Sequence, residues 1–221
     1  MGLIDYLDTI LVPFSFLLML GYHAYLWHCF KHKPSQTTIG IDALRRKNWL
    51  SSLKEGNDKK SILVIQSLRN AQMGTIFTAS IAILINLSLA ALTNNIYKAS
   101  HLLNSSAYFG IQTGKIDALK FGSGCVFLLV SFLCSSMGLG CMIDANFLLN
   151  VPSIELGFSS SYAENVFERG FLLSLIGNRV LCVTFPLVVW LLGPLPVALS
   201  SMALVRALYE LDFSVKCNDK I

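Results

Sequence analysis

The residues able to do chemistry in this chain are few, and most sit in apolar surroundings. Asp144, Asn178 and Arg179 fall inside long hydrophobic runs. An ionisable group within a membrane span is costly, so it marks a functional position by default. Two readings of Asp144 stand: an Asp144–Arg179 bridge that fixes span packing, or an acid on a cation path, with Asn178 joining either arrangement. Asn86 lies in a second polar pattern, Thr78, Ala82, Asn86 and Ala90 at four-residue spacing, which shares one helix face. Small residues so spaced let helices approach closely, and Asn can hydrogen-bond across the contact; a pore-lining face is the alternative. Ser136, Gly140 and Asp144 repeat that spacing. Glu164 and Glu168 are four apart and would share a helix face. In a symmetric oligomer they would form carboxylate rings at a pore mouth, which concentrate cations.

Other chemistry is sparse. His28 and His32 are four apart, but a metal needs a third ligand, and none is evident. The P-loop, GxSxG and HExxH patterns are all absent from the sequence. No metal, no cofactor and no enzymatic activity is therefore expected, and no nucleic-acid partner. The six cysteines include no CxxC pair, and most lie in apolar runs, where cysteine acts as a small hydrophobe. Cys29, where a span meets a basic loop, is open to palmitoylation.

These residues need elements to hold them, and composition says which. The chain has 221 residues, 54% hydrophobic and 14% charged, with mean hydropathy +0.60. Soluble domains carry about 25% charged residues. A span needs roughly 20 mostly apolar residues. Four such runs lie at about 10–27, 73–92, 121–149 and 171–192. The expected fold is an all-α integral membrane bundle of about four spans, one domain over 1–221. The last span is kinked at Gly193-Pro194-Leu195-Pro196, because two prolines remove two backbone donors. Residues 197–209 read as a kinked extension or interfacial piece, with a re-entrant element as the alternative, and a tail follows from about 210.

Charge sets the orientation. The segment 31–69 holds Lys31, Lys33, Arg45, Arg46, Lys47, Lys54, Lys59, Lys60 and Arg69, whereas 94–117 holds only Lys98 and Lys115. The positive-inside rule places the first in the cytosol and the N-terminus in the lumen or outside. Asn104-Ser105-Ser106, a glycosylation acceptor, then lies on the lumenal side. A long helix is expected from about Lys60 into the second span. Arg45, Arg46 and Lys47 beside Trp49, Leu50 and Leu53 read either as a headgroup surface for anionic lipid or as a solvated loop that only fixes topology. Spans near minimum length favour the endoplasmic reticulum over the plasma membrane.

Further landmarks run along the chain: Gly21-Tyr22-His23, Arg46-Lys47-Asn48-Trp49, Gln66-Ser67-Leu68-Arg69-Asn70, Asn165, Glu168-Arg169-Gly170 and the run Phe185–Pro196. Together they resemble the plant membrane family called domain of unknown function 599, from about Tyr6 to Asp212. The resemblance implies a four-span plant membrane protein and transfers no reaction. The chain departs from that pattern at Met142–Asn146, where Asp144 lies. On the residues alone, the leading expectation is an oligomeric cation-permeable path in the bilayer. The alternative is a non-catalytic scaffold or adaptor that uses the basic segment.

Overall fold

The computed structural model describes residues 3–53, 58–99, 114–150 and 160–213; the expected glycosylation site Asn104 lies outside them. Among the described residues the chain forms six α-helices. They are α1 (Leu3–His32), α2 (Thr38–Leu53), α3 (Asp58–Ala99), α4 (Gly114–Asn150), α5 (Ser160–Val189) and α6 (Pro194–Asp212). Four of them supply apolar stretches long enough to cross a bilayer: Ile10–His32, Ile65–Thr93, Leu119–Leu149 and Tyr162–Leu192. The architecture is the expected all-α membrane bundle. The stretches exceed the expected spans, because the helices continue through polar turns where the apolar runs stop.

The basic segment is mostly helix. α1 ends at His32, a single 3-10 turn covers Pro34–Gln36, and α2 occupies 16 of the following residues. Thr37 starts α2 by accepting the Gly40 N–H on its Oγ1 at 3.1 Å, the usual way to satisfy an orphan donor at a helix start. Gly40 must stay small: a Cβ there would run into the Pro34 carbonyl, with Pro34 Cα at 2.7 Å. α3 then runs 42 residues, from the cationic Lys59-Lys60 side deep into the second apolar stretch. Residues 160–170, ahead of the expected fourth span, are the first turns of α5.

The break after α5 lies slightly before the expected prolines. Pro186 is tolerated inside α5, a 3-10 turn follows at Trp190–Leu192, and Gly193 takes φ 129°, a backbone region closed to most side chains. Pro194 then opens α6 at a position where its missing N–H costs nothing. Residues 197–209 are thus the body of a separate 19-residue helix, and helix continues to Asp212 rather than giving way to a tail at 210.

The chain divides into two compact units, the first made of Met1–Ile41, Leu84–Leu128 and Cys182–Ile221, the second of Asp42–Ile83 and Leu129–Leu181. In the first unit α1 buries Val12, Ser15, Met19, Tyr22, Leu26 and Cys29, a strict three-four alternation. That is the seam of a left-handed helix contact. α6 buries Pro194, Val197, Ser201, Leu208 and Asp212. Tyr22, Leu26 and Cys29 pack with Leu208 and Phe213, and Ile39, Leu204 and Val205 cover them. Tyr22 donates its hydroxyl to Asp212 Oδ2 at 2.5 Å, and Thr38 donates to the Leu211 carbonyl at 2.9 Å. The end of α6 is therefore fastened to the start of α2.

In the second unit Leu50 of α2, Leu68 of α3, Met142 and Ala145 of α4, and Phe167 of α5 form one buried cluster. Burying a leucine fully contributes about 1.5–3 kcal/mol, so Leu50 anchors α2.

Candidate functional site

The second unit holds two polar arrays. The first is the α4–α5 seam. Ser131 donates to the Gly177 carbonyl at 2.7 Å, and the Thr75 and Ser174 hydroxyls are 2.6 Å apart. A Cβ on Gly138 would lie 2.8 Å from the Ser174 nitrogen, and one on Gly170 would lie 3.1 Å from the Met142 nitrogen. The helices touch backbone to backbone here, which only small residues permit. The buried α4 positions Leu128, Ser131, Ser135, Met142 and Ala145 keep the three-four spacing. Such an array locks helices. The residues named in it are all uncharged.

The second array lies on α2. Ala43, Arg46 and Leu50 follow the same inward spacing, while Leu44, Arg45, Lys47 and Asn48 are exposed. The Arg46 guanidinium sits 4.4 Å from the Phe171 ring centre, a cation–π contact. Its Nε is buried without a hydrogen-bond partner. Burial pushes the Arg46 pKa down, and the carboxylates of Glu168 and Asp42 only partly counter this. Asp42 pairs with Arg45 at 3.7 Å. An open groove of about 570 Å³ runs beside them, lined by Asp42, Arg45, Arg46, Asn48 and Trp49.

The sequence candidates fall as follows. Asp144 and Asn178 are exposed and Arg179 is half-buried; no ion pair joins Asp144 to Arg179 among the described residues. In the four-residue stripe of α3 only Ala82 is fully buried; Thr78 and Asn86 are half-buried and Ala90 is exposed. The buried positions of α3 are instead Leu68, Thr75, Ala82 and Leu89, seven apart. Glu164 and Glu168 do share a helix, both half-buried, but the Glu168 charge acts on Arg46. Leu50, read as part of a headgroup surface, is core. His28 and His32 stack at 4.3 Å, and no metal-ligating cluster occurs among the described residues.

Sequence reasoning missed three positions. Lys120 is buried, with its Nζ 5.5 Å from the Trp190 ring centre. Asp212 is buried against Tyr22. Ser131 sits at the Gly177 contact. The three-four spacing of Ser131, Ser135 and Gly138 was the signal for the last; nothing local marks the other two.

Four apolar helices and an all-helical bundle define an integral membrane protein. The chain belongs to the family described as protein of unknown function, DUF599, which it matches over residues 10–217. No curated protein and no solved structure matches it.

Proposed function

We propose that this is a non-catalytic membrane scaffold or adaptor that presents the cationic face of α2 to the cytosolic leaflet. One observation carries this reading. The basic segment is a helix pinned to the core by Leu50, with Arg45, Lys47 and Asn48 held outward. A segment that merely fixed topology would need charge but no docking. The excess of lysine and arginine assigns this side to the cytosol and the N-terminus to the lumen or exterior. The membrane itself is not chosen by span length: three stretches of 29 to 31 residues remove the argument for the thinner endoplasmic-reticulum bilayer.

A second reading, an oligomeric cation path, draws on Asp144. It lies exposed on α4 with Gly140, and a second copy would cover both. Its Glu168 ring would share that carboxylate's charge with Arg46, which weakens this reading. Planar-bilayer recording of the purified protein separates the two. The scaffold reading expects no conductance under any monovalent salt gradient. A reproducible cation current that Asp144→Asn diminishes would overturn it.

A further inference from the structure

We propose that the groove along α2 binds a phosphomonoester, with Arg46 as its fixed cation and Arg45 as its movable one. The groove volume of about 570 Å³ suits a headgroup-sized ligand, since small-molecule sites span roughly 300–1,000 Å³. Arg46 is placed by packing: its guanidinium lies on Phe171, and its Nε is buried without an acceptor. Glu168 and Asp42 act on its charge, but its Nε has no acceptor, and the groove at its edge is where an anion can add to the counter-charge. Burial disfavours the charged form of Arg46 despite Glu168 and Asp42, which agrees with that demand.

Arg45 differs. Its contact with Asp42 is 3.7 Å long, and both side chains are well exposed, 78% and 49%. Such a pair is weak in water, so Arg45 can leave Asp42 for a better acceptor. Two guanidiniums present planar forks that match the tetrahedral oxygens of phosphate, and they suit it better than ammonium groups do. Asp42 lines the groove as a carboxylate and repels a weak anion. A phosphomonoester, carrying close to two charges at neutral pH, overcomes it where a single-charge diester or carboxylate does not. Asn48 adds an amide and Trp49 an apolar wall beside the headgroup. Lys47 does not line the groove and is left to general attraction.

The ligand has two sources, a membrane lipid such as phosphatidic acid or a soluble phosphate ester. The site rests on the reading of α2 as a positioned cytosolic surface, and the two fail separately, because conductance bears on the first and phosphate on the second. The test uses the full chain in phosphatidylcholine nanodiscs. One set is doped with phosphatidic acid and the other with phosphatidylserine to the same surface charge. Lipid retained on detergent extraction is read by native mass spectrometry. Phosphatidic acid is expected to be retained about tenfold over phosphatidylserine, the margin that bidentate charge-assisted bonds supply. Arg46→Lys and Arg45→Gln should each erase most of that preference, while Lys47→Gln leaves it intact. Arg45 is exposed, so Arg45→Gln tests the site without disturbing the core. Displacement by glycerol 3-phosphate identifies a soluble ester as an alternative ligand; retention that glycerol 3-phosphate leaves unchanged assigns the site to the lipid. Equal retention of the two lipids, or a preference untouched by Arg45→Gln, would overturn the proposal.

Discussion

Arg45 and Arg46 are neighbours in sequence with opposite environments, one in water and one on an aromatic ring. No compositional argument separates them; the inward spacing of Ala43, Arg46 and Leu50 does. The same lesson applies to Asp144. Its depth in the sequence matches that of Arg179, which suggested a bridge, but it points away from the packed seam. We therefore expect Asp144→Asn and Arg179→Gln to change thermal stability additively, within about 0.5 kcal/mol in a double-mutant cycle. A coupling well above that would restore the bridge. Tyr22 is a firmer pair. Its hydroxyl serves the buried Asp212 carboxylate. Tyr22→Phe takes one donor from that group and should cost about 1–3 kcal/mol. A thermal midpoint in detergent equal to wild type would show the bond to be dispensable.

At the scale of the helix, the apolar runs alone located all four spans, because length and hydropathy are sufficient for that. They did not locate the contacts. The four-residue stripe Thr78–Ala82–Asn86–Ala90 describes a straight ladder, whereas the buried set Leu68, Thr75, Ala82 and Leu89 follows a seven-residue repeat. Packed helices at a shallow left-handed crossing keep in register at 3.5 residues per turn, so a strict period of four drifts off the seam. The sequence signal was present in α1 and α4 too, but hydrophobic residues surround those helices and hide which face is inside. Lipid-exposed leucines and buried leucines look alike, so the small residues carry the information. Gly177 shows this directly: a Cβ there would meet the Ser135 hydroxyl and lie 3.1 Å from the Ser131 carbonyl oxygen. Gly177→Ala should destabilise the protein by about 1–3 kcal/mol through overpacking. Gly74, on the same class of helix, faces open space, and Gly74→Ala should cost nothing. Equal melting behaviour of the two variants would refute the close α4–α5 contact.

At the scale of the molecule, the fastening of α6 to Thr38 bears on the topology. Thr38 lies just beyond the end of α1, on the side that α1 reaches, and its hydroxyl bonds the carbonyls of Leu211 and Asp212. The end of α6 is therefore on that side too. If α3, α4 and α5 each cross once, as their apolar stretches allow, Val189 falls on the opposite side. α6 must cross back. Its 19 residues span roughly 28 Å at 1.5 Å each, close to the hydrocarbon thickness of about 30 Å. Pro194–Val205 carry no charge, and Arg206 appears only near the far end, paired with Glu210 at 3.1 Å. Tyr209, Phe213 and Tyr25 cluster at that end, as aromatic rings do at a membrane interface. Arg206 and Glu210 interrupt the apolar run of α6, which sets it apart from the four long spanning stretches, and the partner that shelters Asp212 is 190 residues away. A fifth crossing would put the two termini on opposite sides of the bilayer. A tag appended after Ile221 and a cysteine at Ser52 should then react from the same side of sealed vesicles, and a tag on Met1 from the other. Reaction of the Ile221 tag on the Met1 side would hold α6 to the far leaflet and remove the fifth crossing.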